Sequence, residues 1–102
     1  MSVRKMEPLH PGTVLLEDFL NPMNITETRV AEDIHIPVSR INEIISGKQS
    51  VTANTALRLA RYFGTPPEFW LGLQMDYDLK VAQNISGDEI EREIEVFVQS
   101  SM

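Results

Sequence analysis

The chain has 102 residues, 42% of them apolar and 24% charged, the composition of one small globular domain rather than a disordered or fibrous chain. It has no cysteine, which excludes a disulfide framework, a thiolate nucleophile and a thiolate zinc site. The net charge of −6 is uneven: residues 84–102 carry five acids against one base, so the rest is nearly neutral and able to present one basic face. No uninterrupted apolar run exceeds three residues, as in Val96-Phe97-Val98, so neither a membrane span nor a signal peptide is expected.

Residues 1–10 read as an extended arm. Pro11 suits a first helical turn, where its missing N–H costs nothing. Leu15, Leu16, Phe19, Leu20 and Met23 recur at helical spacing and predict a helix over about 12–22, with Pro22 late enough to end it rather than kink it. Thr26 is a good N-cap for a second helix over 27–34, whose buried stripe is Val30, Ala31 and Ile34. Ile36 and Pro37 break it. A third helix over 38–46 turns Ile41, Ile44 and Ile45 inward and stops at Gly47. Residues 47–51 read as loop. Thr52 caps a fourth helix over 53–63, with Ala56, Leu59, Ala60 and Phe63 on one face and Leu57 beside it. Thr65-Pro66-Pro67-Glu68 has the form of a capping box and opens a fifth helix over 66–82, with Phe69, Trp70, Leu73 and Tyr77 on its apolar face. The tail fits two periods. Ile90, Ile94, Phe97 and Val98 have helical spacing, whereas Ile90, Ile94, Val96 and Val98 fit a spacing of two. Asp88 and Glu89 near a helix start favour the helix.

Two short helices joined by a tight turn, followed by a loop and more helices, are the layout of a helix-turn-helix. Ala31 sits where a small residue lets two helices cross closely. Ile34 plugs the core beneath the turn, and Ile41 and Ile44 anchor the third helix from below. Val38, Ser39, Asn42 and Glu43 must then point outward from the part of that helix that enters a major groove.

The stretch from Val30 to Gly47 resembles the Cro/repressor type of helix-turn-helix. His10-Pro11-Gly12 opens the first helix, and Ile44-Ile45-Ser46-Gly47-Lys48 closes the third. Thr55-Ala56-Leu57-Arg58-Leu59-Ala60 and Thr65-Pro66-Pro67-Glu68-Phe69-Trp70-Leu71 follow. In that order, over roughly residues 8–83, they closely resemble the HigA (VapI-type) antitoxins. The resemblance implies an all-α, five-helix, lambda-repressor-like DNA-binding domain over 11–83, between the arm 1–10 and an acidic extension 84–102. It implies a cytoplasmic homodimer that represses its own operon from an inverted-repeat operator in double-stranded DNA. It also implies a partner toxin, a ribosome-dependent mRNA endonuclease of the RelE-like fold. The turn departs from the pattern, with His35 where Gly is usual, at a cost of about 1 kcal/mol for a left-handed residue that is not Gly. The tail lies beyond the matching motifs.

Ser39, Arg40 and Asn42 are the best candidates for base or phosphate contact: Asn pairs with adenine, Ser reaches several base edges, and Arg favours guanine or phosphate. Val38 can meet a thymine methyl, and Glu43 either accepts from a cytosine amine or pairs with Arg40. Thr26, Glu27 and Thr28 open the second helix, whose amide end suits a phosphate, with Arg29 assisting. Lys48, Gln49, Ser50, Thr52 and Asn54 form a second backbone clamp. Thr26 and Thr52 are caps in either case. Arg58 and Arg61 read as salt-bridging residues, Trp70 and Phe69 as core, and Glu32 and Asp33 as solvated charge. No catalytic residue, metal site or cofactor is expected. His10 and His35 have no constellation around them, and the carboxylate pairs Glu17–Asp18, Glu32–Asp33 and Asp76–Asp78 have no pocket signature. Two other readings remain: a stand-alone repressor without a toxin, and a protein-binding adaptor whose helix-turn-helix has lost DNA affinity.

Overall fold

The structure, a computed structural model, describes residues 7–99; most of the expected arm lies outside the described residues. It is all-α, with five helices and no strand among the described residues: α1 over residues 11–23, α2 Glu27–Ile34, α3 Val38–Ile45, α4 Ala53–Phe63 and α5 Pro67–Glu93. Leu15, Ile41, Ile44, Leu59 and Trp70 are completely buried at the centre.

Helix α1 begins as Pro11 predicts, capped by an unexpected residue: His10 Nδ1 accepts the Gly12 N–H at 2.9 Å. Its middle, Leu15–Leu20, is π-helical, and the Asn21 N–H reaches back to the Leu16 carbonyl. This wider turn precedes Pro22, whose ring would otherwise press on the carbonyl four residues back. Pro22 therefore lies inside the last turn and does not end the helix. Asn24 does, in the left-handed region at φ 56°, with the Ile25 N–H bonded to the Leu20 carbonyl. Met23, expected in the buried stripe, is half exposed.

The start of α1 packs against α3. A Cβ on Gly12 would stand 1.9 Å from the Ile44 carbonyl oxygen and 2.8 Å from Ile45 Cα, so only glycine permits this crossing.

Two expectations for α5 are corrected. The capping box does not form: Thr65 Oγ1 accepts the Trp70 indole N–H at 2.9 Å, and Pro66 is the N-cap. The buried indole needs a partner, and Thr65 supplies it. The helix also does not stop near residue 82 but continues to Glu93, so the tail is helical at first and leaves the helix at Ile94, whose own backbone is extended at φ −114° and ψ 115°. No proline interrupts residues 83–93, and Gly87 alone costs about 1 kcal/mol against a run of good helix formers. The helical reading of the tail therefore holds to Glu93 and fails for Phe97 and Val98, which lie beyond the helix. Trp70 is core as expected; Phe69 packs edge-on against it but is 38% exposed. Leu57 is exposed.

Candidate nucleic-acid interface

The turn between α2 and α3 closes without glycine. His35 sits at φ 63°, ψ 46°; its N–H bonds the Glu32 carbonyl, and the Ile36 N–H bonds the Ala31 carbonyl. Arg58 secures this turn from α4. One of its terminal nitrogens donates to the Ile34 carbonyl at 2.8 Å and the His35 carbonyl at 3.3 Å, while Nε donates to Asn54 Oδ1 at 2.7 Å. The expected salt-bridging role of Arg58 is therefore replaced by a cap on the C-terminus of α2, where a cation also meets the negative end of the helix dipole. Arg61 has no ion pair among the described residues. Asp33 is not merely solvated: it accepts the Tyr62 hydroxyl and pairs with Arg29 at 2.9 Å, tying α2 to α4. The Tyr62 hydrogen bond, then Arg29, hold its carboxyl below the usual range.

Ile41 and Ile44 are completely buried and Ala31 nearly so, which fixes the close crossing of α2 and α3. Val38, Ser39, Arg40, Asn42 and Glu43 consequently all face solvent. Arg40 and Glu43 do not pair with each other. Arg40 on α3 and Lys48 just beyond it are cations without an ion pair among the described residues. Thr26 caps α2 through the Arg29 N–H, and Thr52 caps α4 through the Thr55 N–H, as their positions in the sequence predict. Thr28, Lys48, Gln49 and Ser50 are exposed, and Gly47 ends α3 at φ 81°. Three candidates are less available: Glu27 is half-buried, Arg29 is held by Asp33, and Asn54 by Arg58.

A residue that sequence reasoning missed positions the loop after α3. Gln74 on α5 is buried; its Oε1 accepts the Val51 N–H at 2.8 Å, and its amide donates to Asp78 at 3.0 Å. Replacing Gln74 by Leu orphans a buried N–H, so chemical denaturation should show a loss of about 1–3 kcal/mol. Beside this pair, His10 stands edge-on to Tyr77 with ring centroids 4.8 Å apart. Burial pushes the imidazole below its ordinary 6.5, opposed by Asp78 and the Gln49 backbone. The unfolded chain therefore binds the proton more tightly. Stability is complete above about pH 6.5 and falls as the pH drops from there through the lower folded value. His10→Asn retains a capping acceptor without a titrating group, so urea midpoints across this window should lose that slope.

No group of acids and histidines among the described residues is arranged to hold a metal ion, and no helix there is long and apolar enough to cross a membrane. The helix-turn-helix family matches residues 16–70. Virulence-associated protein I of Dichelobacter nodosus is 46% identical over 78% of this chain and 73% of its own length. An addiction module antidote protein of the HigA family from Coxiella burnetii is 44% identical and matches 90% of this chain and all of its own with a TM-score of 0.86. The chain belongs to the HigA family of antitoxins. Pseudomonas aeruginosa antitoxin HigA, solved with the higBA promoter, is 35% identical to this HigA-family chain, with a TM-score of 0.87 over 90% of it and all of the Pseudomonas chain.

Proposed function

We propose that this HigA-family protein is a cytoplasmic homodimer that represses its own operon at an inverted-repeat operator and neutralises a partner toxin of the RelE-like mRNA endonuclease class. The observation that carries the DNA half is the outward face of α3, with Ser39, Arg40 and Asn42 set on the buried Ile41 and Ile44. Val38 and Glu43 flank these base-reading residues. Thr26, Glu27, Thr28 and Arg29 at the start of α2, and Lys48, Gln49, Ser50, Thr52 and Asn54 beyond α3, are assigned to the phosphate backbone. The Pseudomonas relative solved with its promoter supports this reading. Two-fold symmetry sets the half-site centres about 34 Å apart. The dimer surface is assigned to the outer side of α5, where Leu71, Met75 and Leu79 are exposed at helical spacing.

Residues 11–83 form the DNA-binding body, and 84–102 an acidic extension that shares α5 with it. Asp88, Glu89, Glu91, Glu93 and Glu95 are all exposed and can mask the basic surface that an RNA-cleaving toxin needs. Neutralising all five should weaken toxin binding at least about tenfold and steepen with falling ionic strength; unchanged affinity dismisses the masking role. The toxin half as a whole is tested by co-expression with the product of the adjacent small open reading frame. A stoichiometric complex on co-purification is expected. No complex, together with tight operator binding, leaves a stand-alone repressor.

A further inference from the structure

The loop between α3 and α4 is fastened at its two ends by different means. At its start the Glu43 carbonyl accepts the Lys48 and Gln49 N–H groups at 2.8 and 3.1 Å. Past Gln49, no backbone group of Ser50 or Val51 pairs with another backbone group among the described residues. The Val51 N–H instead donates to Gln74 Oε1 at 2.8 Å, in the middle of α5, and both residues are buried. The Gln74 amide donates to Asp78, one turn further along α5, at 3.0 Å, which orients the amide so that its carbonyl oxygen faces the loop. His10 stands against the Gln49 backbone from another side. In front of these buried fastenings Lys48, Gln49 and Ser50 project into solvent, and Lys48 has no ion pair among the described residues.

We infer that Gln74 is a positioning residue for DNA binding: from behind the loop it sets the backbone of residues 48–50 against the phosphates, without touching DNA itself. This assignment rests on the operator reading above and gives backbone grip and base reading separate supports. The outward face of α3 is seated on the buried Ile41 and Ile44. The far end of the loop is seated on Gln74. Without Gln74 the Val51 N–H is orphaned in a buried site, and it regains a partner only by moving toward water. That movement carries Ser50 and Gln49 with it, while α3 keeps its own seat. Phosphate contacts supply affinity without sequence preference, so their loss weakens binding to operator and to unrelated DNA alike. Loss of contacts from α3 would weaken the operator complex selectively.

The test compares full-length wild type, Gln74→Leu and the charge-conserving pair Gln74→Glu with Asp78→Asn. In the pair, the new carboxylate accepts both the Val51 N–H and the new amide, so the two hydrogen bonds are kept with the second one reversed. Each chain is titrated with operator and scrambled duplexes between about 50 and 200 mM salt, at a temperature where circular dichroism shows it folded. Stoichiometric titration sets the binding-competent fraction. Gln74→Leu should bind both duplexes about tenfold more weakly, keep the wild-type ratio between them, and flatten the logarithmic salt slope by about one. The pair should recover both affinity and slope. Should Gln74→Leu fail to fold, Gln74→Asn, one methylene too short to reach the Val51 N–H, takes its place with the same expectation. Wild-type affinity and slope in the variant overturn the positioning role and leave the operator reading standing. Weaker binding with the wild-type slope, as a merely structural role would give, overturns it too. So does a loss confined to the operator, or a pair that recovers nothing. A wild-type protein that binds neither duplex overturns the operator reading itself.

Discussion

Gly12→Ala is expected to destabilise the native fold severely, although it adds a single methyl group. The neighbour is not a side chain that can turn away. It is the backbone of α3, with the Ile44 carbonyl oxygen at 1.9 Å and its carbon at 2.6 Å from the new Cβ. The contact can be relieved only by moving the start of α1 away from the end of α3. That motion disturbs the His10 cap and loosens the seating of Ile44, which is completely buried. Overpacking of adaptable cores costs about 1–3 kcal/mol; against fixed backbone the loss should be about 3 kcal/mol or more, a large share of what a domain of this size has. Circular dichroism melts test this directly. Gly72→Ala, at a site where nothing stands within 4 Å of the added Cβ, should melt at or above the wild-type temperature.

Arg40→Ala combined with Asn42→Ala is expected to remove specific operator binding while leaving stability within about 0.5 kcal/mol, because both side chains face solvent. A lost base contact is worth about 1–3 kcal/mol, so the pair should weaken the operator complex at least about 30-fold, with less loss on unrelated DNA. The single Arg40→Ala change should account for about 1–3 kcal/mol of this. Fluorescence anisotropy with operator and scrambled duplexes separates the two effects. Equal weakening on both duplexes would place these residues on phosphates and move base reading elsewhere. No change on either would remove α3 from the interface.

What could be read from the sequence and what could not divide by range. Thr26, Thr52, Gly47 and Gly64 act on their own helix ends, so their roles follow from neighbours a few residues away. The helix-turn-helix spacing is likewise local, and the face of α3 follows from which of its residues are apolar. The roles of Arg58 and Gln74 do not follow, because their partners lie 24 and 23 residues away and are backbone groups with no side-chain signature. Thr65 misled for a related reason: its hydroxyl satisfies both a capping motif and an indole, and the buried indole of Trp70 prevailed. The wide turn in α1 is a compromise between Pro22 and the packing of Leu20, which period alone does not reveal. The acids that make the tail look like a separate surface are also good helix formers, so they extend α5 instead of ending it.

The measurement that tests the account most directly is a titration of the inverted repeat upstream of the gene with the full-length wild-type protein, repeated between 50 and 200 mM salt. One dimer per repeat is expected, with an affinity that falls steeply and linearly on logarithmic axes as salt rises, as cationic contacts to phosphate require. Binding that is absent at low salt, or indifferent to salt and to the loss of Arg40, would contradict it and leave the exposed face of α3 for a protein partner.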